Sequence, residues 1–576
     1  MARHHACTTA LVLLGFLAQG ASVSASDIQA KDWRMNAWGT PKFGHKVDAS
    51  GVCSQGGQAG VRFDYERPDK PEQGSGADLI FPQQLEWGKA YRVTLPLRSA
   101  GEGKASVDLY LRRDDFPFET SAIRTVEVGP AWQTVVLRGV YNSFSKGVVR
   151  ISVRDARASV CVGAGKLEAI PVDEVGAPPP PSPVQPQFFG VHVNRLGVHQ
   201  SWPSFDPGAL RLWDTGTTWA QMQPQDGPIA WKSNAHAQRL DFYAAYVRRN
   251  NPQATIIMTL AMTPDWAAME HPRRCGNAGY GANACMPPKD IDDWRRFVRE
   301  LARRYDGRIK VWELWNESDV WMHWSGGAQK MVELAKAASE ELKAVDADNI
   351  LIGPNVTGSG YKALNEFLNA GGGKYVDGMS AHFYFGRAPE ASMYSVRNLR
   401  EMMAAHGMKQ LPIWNTETST SCIHEAECKA IREGGGAKLL GPTPALARGL
   451  LGQAAMGVVN TDYHTWEGGG ARNGAPALVE DDFRTPTEQG RLYATLQRWL
   501  LGASVKPVTA PEGIVLMSIA REGKTSYAAW SMRGSARLPR SLVPGVGQVQ
   551  ETDGGKPAAL PKGDVALDES PVLLTP

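Results

Sequence analysis

Two stretches of this chain close an apolar run with a glutamate set among aromatic residues: Val311-Trp-Glu-Leu-Trp-Asn-Glu-Ser318 and Ile413-Trp-Asn-Thr-Glu-Thr418. Their last carboxylates are Glu317 and Glu417. Two carboxyl groups facing each other across a pocket are the apparatus of glycoside hydrolysis. One protonates the departing oxygen while the other attacks the sugar carbon or activates water. Their surroundings must differ, so that one is protonated while the other is ionised. Glu317, flanked by Trp315 and Trp321, suits the acid, because burial near tryptophans raises a carboxyl pKa. A lone glutamate at a strand end is more often a surface or salt-bridged group. Two at matching points of a repeat are not explained that way.

The repeat is an alternation of strands and helices. Strand-like runs fall at 188–193, 209–214, 255–261, 309–315, 350–355, 376–384, 411–416 and 457–465, and amphipathic helices such as 290–305, 326–345 and 442–456 separate most of them. Such alternation predicts an α/β fold with a parallel sheet, and eight units predict a closed (β/α)8 TIM barrel. Glu317 then follows the fourth strand and Glu417 the seventh, at the mouth where barrel strands present reactive groups. A doubly wound open sheet would carry a glycine fingerprint after its first strand, and none is present.

Trp-Asn-Glu after the fourth strand, with a second Glu after the seventh, resembles the clan A retaining glycoside hydrolases. Within that clan the chain is most similar to glycoside hydrolase family 39, in the branch of bacterial exopolysaccharide glycosidases. Phe189-Gly-Val-His192, Leu210-Arg-Leu-Trp-Asp-Thr-Gly216, Met262-Thr-Pro-Asp-Trp266 and Ala381-His-Phe-Tyr384 share the likeness, which covers roughly 187–500. It implies that Glu317 is the acid/base, Glu417 the nucleophile, and Asn316 the partner of the sugar 2-hydroxyl. It also implies that Arg211 keeps Glu417 ionised, that Tyr384 orients it, and that His192 and His382 bond sugar hydroxyls. Trp466 would form the floor under the sugar ring, and Trp219 and Trp266 are further candidate sugar contacts. Two departures stand out: Ser318-Asp319 where many relatives have Pro-Asn, and an apparent insertion between Cys275 and Cys285.

The flanks differ in kind. Residues 27–172 read as all-β, with strands such as 91–97, 106–111 and 133–137, and suggest a β-sandwich of jelly-roll type. It is either a carbohydrate-binding module or an inert spacer; Trp33, Trp38, Trp87 and Trp132 could stack on sugars or fill its core. A proline-rich linker at 173–186 reads as a stiff spacer. On that reading a chain starting near Gln185 should fold without the first domain. The barrel takes 187–502, and 503–576 reads as a small β-sandwich.

Residues 1–25 form a signal peptide: Arg3, an apolar run from Ala10 to Ala18, and Val23-Ser24-Ala25 as a cleavage site. The run is shorter than the about 20 residues a membrane span needs. The product would be periplasmic or secreted. Six cysteines remain, and pairing by position gives Cys53 with Cys161, Cys275 with Cys285, and Cys422 with Cys428. Disulfides suit an oxidising compartment; zinc is the rival, but no pair has C-x2-C spacing. Charges are mixed, with a formal net of +3, so no nucleic-acid partner is indicated. No metal or organic cofactor is implied; the partner is a carbohydrate substrate. Rival functions are a β-xylosidase or arabinosidase acting on plant cell-wall glycans, and a catalytically idle polysaccharide-binding protein. Loop lengths around the cleft decide the sugar, the linkage, and endo against exo action.

Overall fold

The structure, a computed structural model, describes residues 25–38, 42–48, 51–66, 76–116, 118–270, 274–275, 279–386, 388–420, 440–468 and 476–576. The expected signal peptide, apart from Ala25, and the pair Cys422 and Cys428 lie outside them.

A parallel sheet organises the centre. Its strands are Phe189–Val191, Ala209–Leu212, Thr255–Leu260, Val311–Leu314, Ile350–Ile352, Met379–His382, Ile413–Thr418 and Asn460–Tyr463, in chain order. The first pairs with both the second and the eighth, so the sheet curls into a (β/α)8-like barrel. The fifth strand is split: Ile350–Ile352 pairs with the fourth, and Val356–Thr357 pairs with the sixth. Asn355 sits in the break, free to turn its side chain inward. The eight strands fall within the runs expected from sequence, except that the second half of the split fifth, Val356–Thr357, lies just beyond its run and the seventh extends to include Glu417. Helices cover the outside because each has one apolar face. In Ile291–Arg304, for example, Trp294, Phe297, Val298, Leu301 and Ala302 are buried.

The N-terminal β region consists of one seven-stranded and one five-stranded antiparallel sheet enclosing an apolar cluster. Period-two patterning builds it: in Ala90–Ser99, Tyr91, Val93, Leu95 and Leu97 are buried and alternate with half-exposed Arg92, Thr94, Pro96 and Arg98. The Cys53–Cys161 disulfide, with a Cα–Cα distance of 5.0 Å, ties this region together.

This region does not stand apart on a spacer. Tyr110 and Ile123 belong to the apolar cluster of the barrel. Helix Glu390–Ala405 offers Asn398, which accepts from Val140 N–H at 2.7 Å and donates to Val140 C=O at 2.8 Å. Glu401 binds Arg138 and the backbone N–H of Gly176, and Arg397 binds the carbonyls of Val172 and Val175. Downstream, Val184 exchanges backbone hydrogen bonds with Gly502 and Ala503. The segment expected to be a free spacer is therefore strapped to the barrel. A chain starting near Gln185 would expose the apolar surface under Tyr110 and strand Asn398, so independent folding no longer follows. Three of the four tryptophans fit a packed region too: Trp33 is buried, Trp87 lies between Phe144 and Tyr394, and Arg98 covers Trp132, whereas Trp38 is exposed.

The C-terminal residues form a six-stranded and a two-stranded antiparallel sheet. Buried Arg448 and Trp530, both bonded to Glu390, lock them to the barrel. Among the described residues no helix is long and apolar enough to cross a membrane. That, with two disulfides, is consistent with an exported protein.

Candidate functional site

The strand ends converge on one charged network, with Arg211 at its centre. This residue ends the second strand and is completely buried. Its guanidinium donates to Glu313 at 2.7 Å, to Glu417 at 2.9 Å and to Asn316 Oδ1 at 2.8 Å. A rigid fork of five N–H groups can hold three acceptors in fixed directions, which lysine cannot do. Glu313, also wholly buried, accepts further bonds from Thr259, Asn355 and Thr416. It counterbalances the guanidinium, and charge-assisted bonds of this kind are what make a buried ion tolerable.

Glu417 is gripped from two sides. Arg211 holds Oε2, and the Tyr384 hydroxyl donates to Oε1. Burial alone would push this carboxyl up. His382, His464 and Arg211 outweigh burial and hold it well below the ordinary carboxylate range. Burial and Glu417 in turn keep the Tyr384 phenol protonated.

Glu317 is held differently. It and Trp315 both take left-handed backbone conformations, with φ 42° and 62°, which for side-chain-bearing residues mark a turn imposed by the surroundings. The Glu317 N–H donates to Asn355 Oδ1 at 2.9 Å. Ser318 binds the Asn355 carbonyl, and the Asp319 carboxylate caps Thr357. The Ser-Asp pair thus pins the loop to the split fifth strand. The carboxylate itself faces imidazoles, with His382 Nδ1 at 3.0 Å and His323 Nδ1 at 3.5 Å.

The expected tryptophan collar is absent. Trp315 points into the core against Trp294 and Trp324, and Trp321 is 53% exposed. The reversed backbone at Trp315 turns the indole inward, where its N–H meets the His323 carbonyl.

Oxygens of Glu317 and Glu417 and a ring nitrogen of His382 lie within 4.8 Å of one another. A second group, His192, Asp214 and His464, is equally close-set. His464 Nε2 donates to Asp214 Oδ2 at 2.9 Å; burial opposes its charge, but Glu417 and Asp214 raise its pKa. His192 is completely buried and neutral because burial depresses it strongly. One ring nitrogen meets the Thr416 carbonyl. Its Nδ1, like Nε2 of His382, has no hydrogen-bond partner among the described residues.

Three aromatic candidates fare unequally. Trp219 is 0% exposed, stacks on Phe297 and bonds Gln223, so its assignment as a sugar contact is corrected to a core role. Trp466, 2% exposed and edge-on to His199, belongs to the same apolar cluster, which leaves little ring for a sugar. Trp266 remains half-exposed, its N–H on the Gln223 carbonyl.

Sequence reasoning missed Glu313, Asn355, His323 and His464. Glu313 left a signal, a charged residue in the middle of an apolar strand. Asn355 ended the expected fifth run. For His323, in a loop six residues past Glu317, no signal existed.

A barrel of this kind with two facing carboxylates, one tightly held as the anion and the other presented to imidazoles, defines a glycoside hydrolase, and this protein is a glycosidase. It is most like family 39: the family described as "Glycosyl hydrolases family 39" matches residues 260–427. No curated protein matches the chain. Similar solved structures include a family 39 glycoside hydrolase from Bacteroides cellulosilyticus WH2, at 16% identity over 82% of this chain and 95% of that one, TM-score 0.49. Another is a monomeric beta-xylosidase from Caulobacter crescentus CB15, at 16% identity over 70% and 98%, TM-score 0.47. A third is a family 39 enzyme from Xanthomonas axonopodis pv. citri, at 15% over 69% and 95%, TM-score 0.46.

Proposed function

We propose that the protein is exported by its N-terminal leader and hydrolyses O-glycosidic bonds of a polysaccharide or oligosaccharide by double displacement. The substrate class we assign is bacterial exopolysaccharide, on the resemblance of the barrel motifs. Glu417 attacks the anomeric carbon while Glu317 gives its proton to the departing oxygen. A glycosyl ester on Glu417 results. Glu317, now a base, takes a proton from water, which attacks the same carbon and frees Glu417.

One observation carries this reading: an oxygen of Glu317 and an oxygen of Glu417 lie within 4.8 Å of each other. Retaining enzymes hold these groups about 5–5.5 Å apart, and inverting ones about 6.5–9.5 Å, to seat a water molecule. A near approach of this kind supports direct attack by Glu417 rather than attack by an interposed water. Both carboxylates are in place and Glu417 is held ionised, which disfavours an idle binding protein. Around the barrel at 187–502 we assign a jelly-roll-like β-sandwich at 27–172, a strap at 173–186 and a small β-sandwich at 503–576.

Proton NMR of early turnover tests the mechanism. The first product should carry the anomeric configuration of the substrate; an inverted first product overturns the double displacement.

A further inference from the structure

The loop closed by Cys275 and Cys285 plays no part in the two-carboxylate chemistry, yet it reaches the same pocket. Both cysteines are wholly buried and bridged. The returning limb is fixed at every step. Cys275 N–H donates to the Ala282 carbonyl at 2.7 Å, and Thr263 N–H to the Ala284 carbonyl at 3.0 Å. Asp265 accepts from the N–H groups of Ala282 and Asn283 at 3.2 and 2.8 Å. Gly281, at φ 120°, lets the chain turn against that carboxylate: a Cβ there would lie 3.1 Å from Oδ1.

What this rigging presents is Tyr280. Its ring lies 5.8 Å from that of Trp213, tilted by 33°. Trp213 sits between Arg211 and Asp214 in sequence, and its other edge meets His323, which faces Glu317. Burial, Asp214 and Glu417 together hold the Tyr280 phenol protonated.

We propose that Tyr280, half-exposed and backed by buried Trp213, is a specificity-determining residue whose ring forms a wall against the sugar ring held over Glu417. The inference rests on the proposed double displacement, which makes the sugar over Glu417 the glycone. Aromatic faces pack on the C–H faces of sugar rings, and the neutral hydroxyl can bond a ring hydroxyl. The disulfide sets the wall before substrate arrives, so little ordering is left for the binding step.

The test measures kcat and KM of the full chain on p-nitrophenyl glycosides of several sugars, and on a 2,4-dinitrophenyl glycoside of the best of them. Tyr280→Ala should raise KM about tenfold, the worth of one aromatic contact, while kcat stays within about threefold. It should change the ranking among sugars but not between the two leaving groups. Tyr280→Phe should keep most of the wild-type ranking. Cys275→Ala with Cys285→Ala should reproduce the KM effect, and adding Tyr280→Ala to that pair should add little, because the wall is already lost. An unchanged ranking in Tyr280→Ala, or an equal loss of kcat on every sugar, overturns the inference while leaving the double displacement intact. A retained ranking with a changed leaving-group preference overturns it as well, since the wall would then face the aglycone. If wild type hydrolyses no glycoside or polysaccharide, both readings fall together, before any variant is needed.

Discussion

The two carboxylates of the site have the same side chain and nearly opposite surroundings. Glu417 accepts from a guanidinium and a phenol and lies among imidazoles. Glu317 sits on a left-handed turn, held by its backbone to Asn355, with only His382 and His323 before its carboxyl. A nucleophile must be an anion at the moment of attack, and dedicated cations and donors keep it so. An acid that becomes a base must pass a proton both ways, so a permanent cation bonded to it would be a hindrance. The difference assigns the roles more firmly than the glutamates' positions on the strands.

The largest effect should come from Glu417→Ala. With no atom to form the glycosyl ester, turnover should fall by several orders of magnitude. Azide should partly restore it by attacking from the vacated face. Activity above about a tenth of wild type would mean that the two roles are misassigned.

Glu317→Gln should divide the substrates. Natural glycosides need a proton on the leaving oxygen and should lose about 100- to 10,000-fold. Aryl glycosides whose phenolates leave unaided should lose far less in the first step. Equal losses on both would remove the asymmetry described above.

Tyr384→Phe should be milder and sharpens the comparison by pH. It removes one hydrogen bond to the charged form of Glu417, worth about 1.5–3 kcal/mol, so kcat should fall about 10- to 100-fold. Losing a donor to the anion also raises the pKa of Glu417. Because the folded value lies below the unfolded one, the stability that Glu417 contributes is present above the unfolded value and lost as pH falls through the folded one. The acid limb of kcat/KM in Tyr384→Phe should therefore move to higher pH than in wild type. An acid limb that does not move would show that Tyr384 does not support the anion.

Much of this molecule was legible in its sequence, for a local reason. Strand and helix periods, the turn signals and the glutamates at the fourth and seventh strand ends are set by neighbours in the chain. The barrel, Glu317 and Glu417 could thus be read from period and position, and Arg211 from the family resemblance. Tryptophan was a poor guide, since the same residue serves core and cleft. Trp315 went inward because of a backbone turn that no spacing announces, and Trp219 because it stacks on Phe297 in the core.

Sequence alone determined the strand-helix order, the two carboxylates, and the cysteine pairs that became Cys53–Cys161 and Cys275–Cys285. Only the tertiary structure decided which carboxylate is held as an anion, because Arg211 is 206 residues from Glu417 and Tyr384 is 33. It also decided that the proline-rich segment is a strap, since its partners are a helix more than 200 residues away and the start of the C-terminal sheet. Local patterning specifies elements; charge pairing and docking depend on which distant elements closure of the barrel brings together.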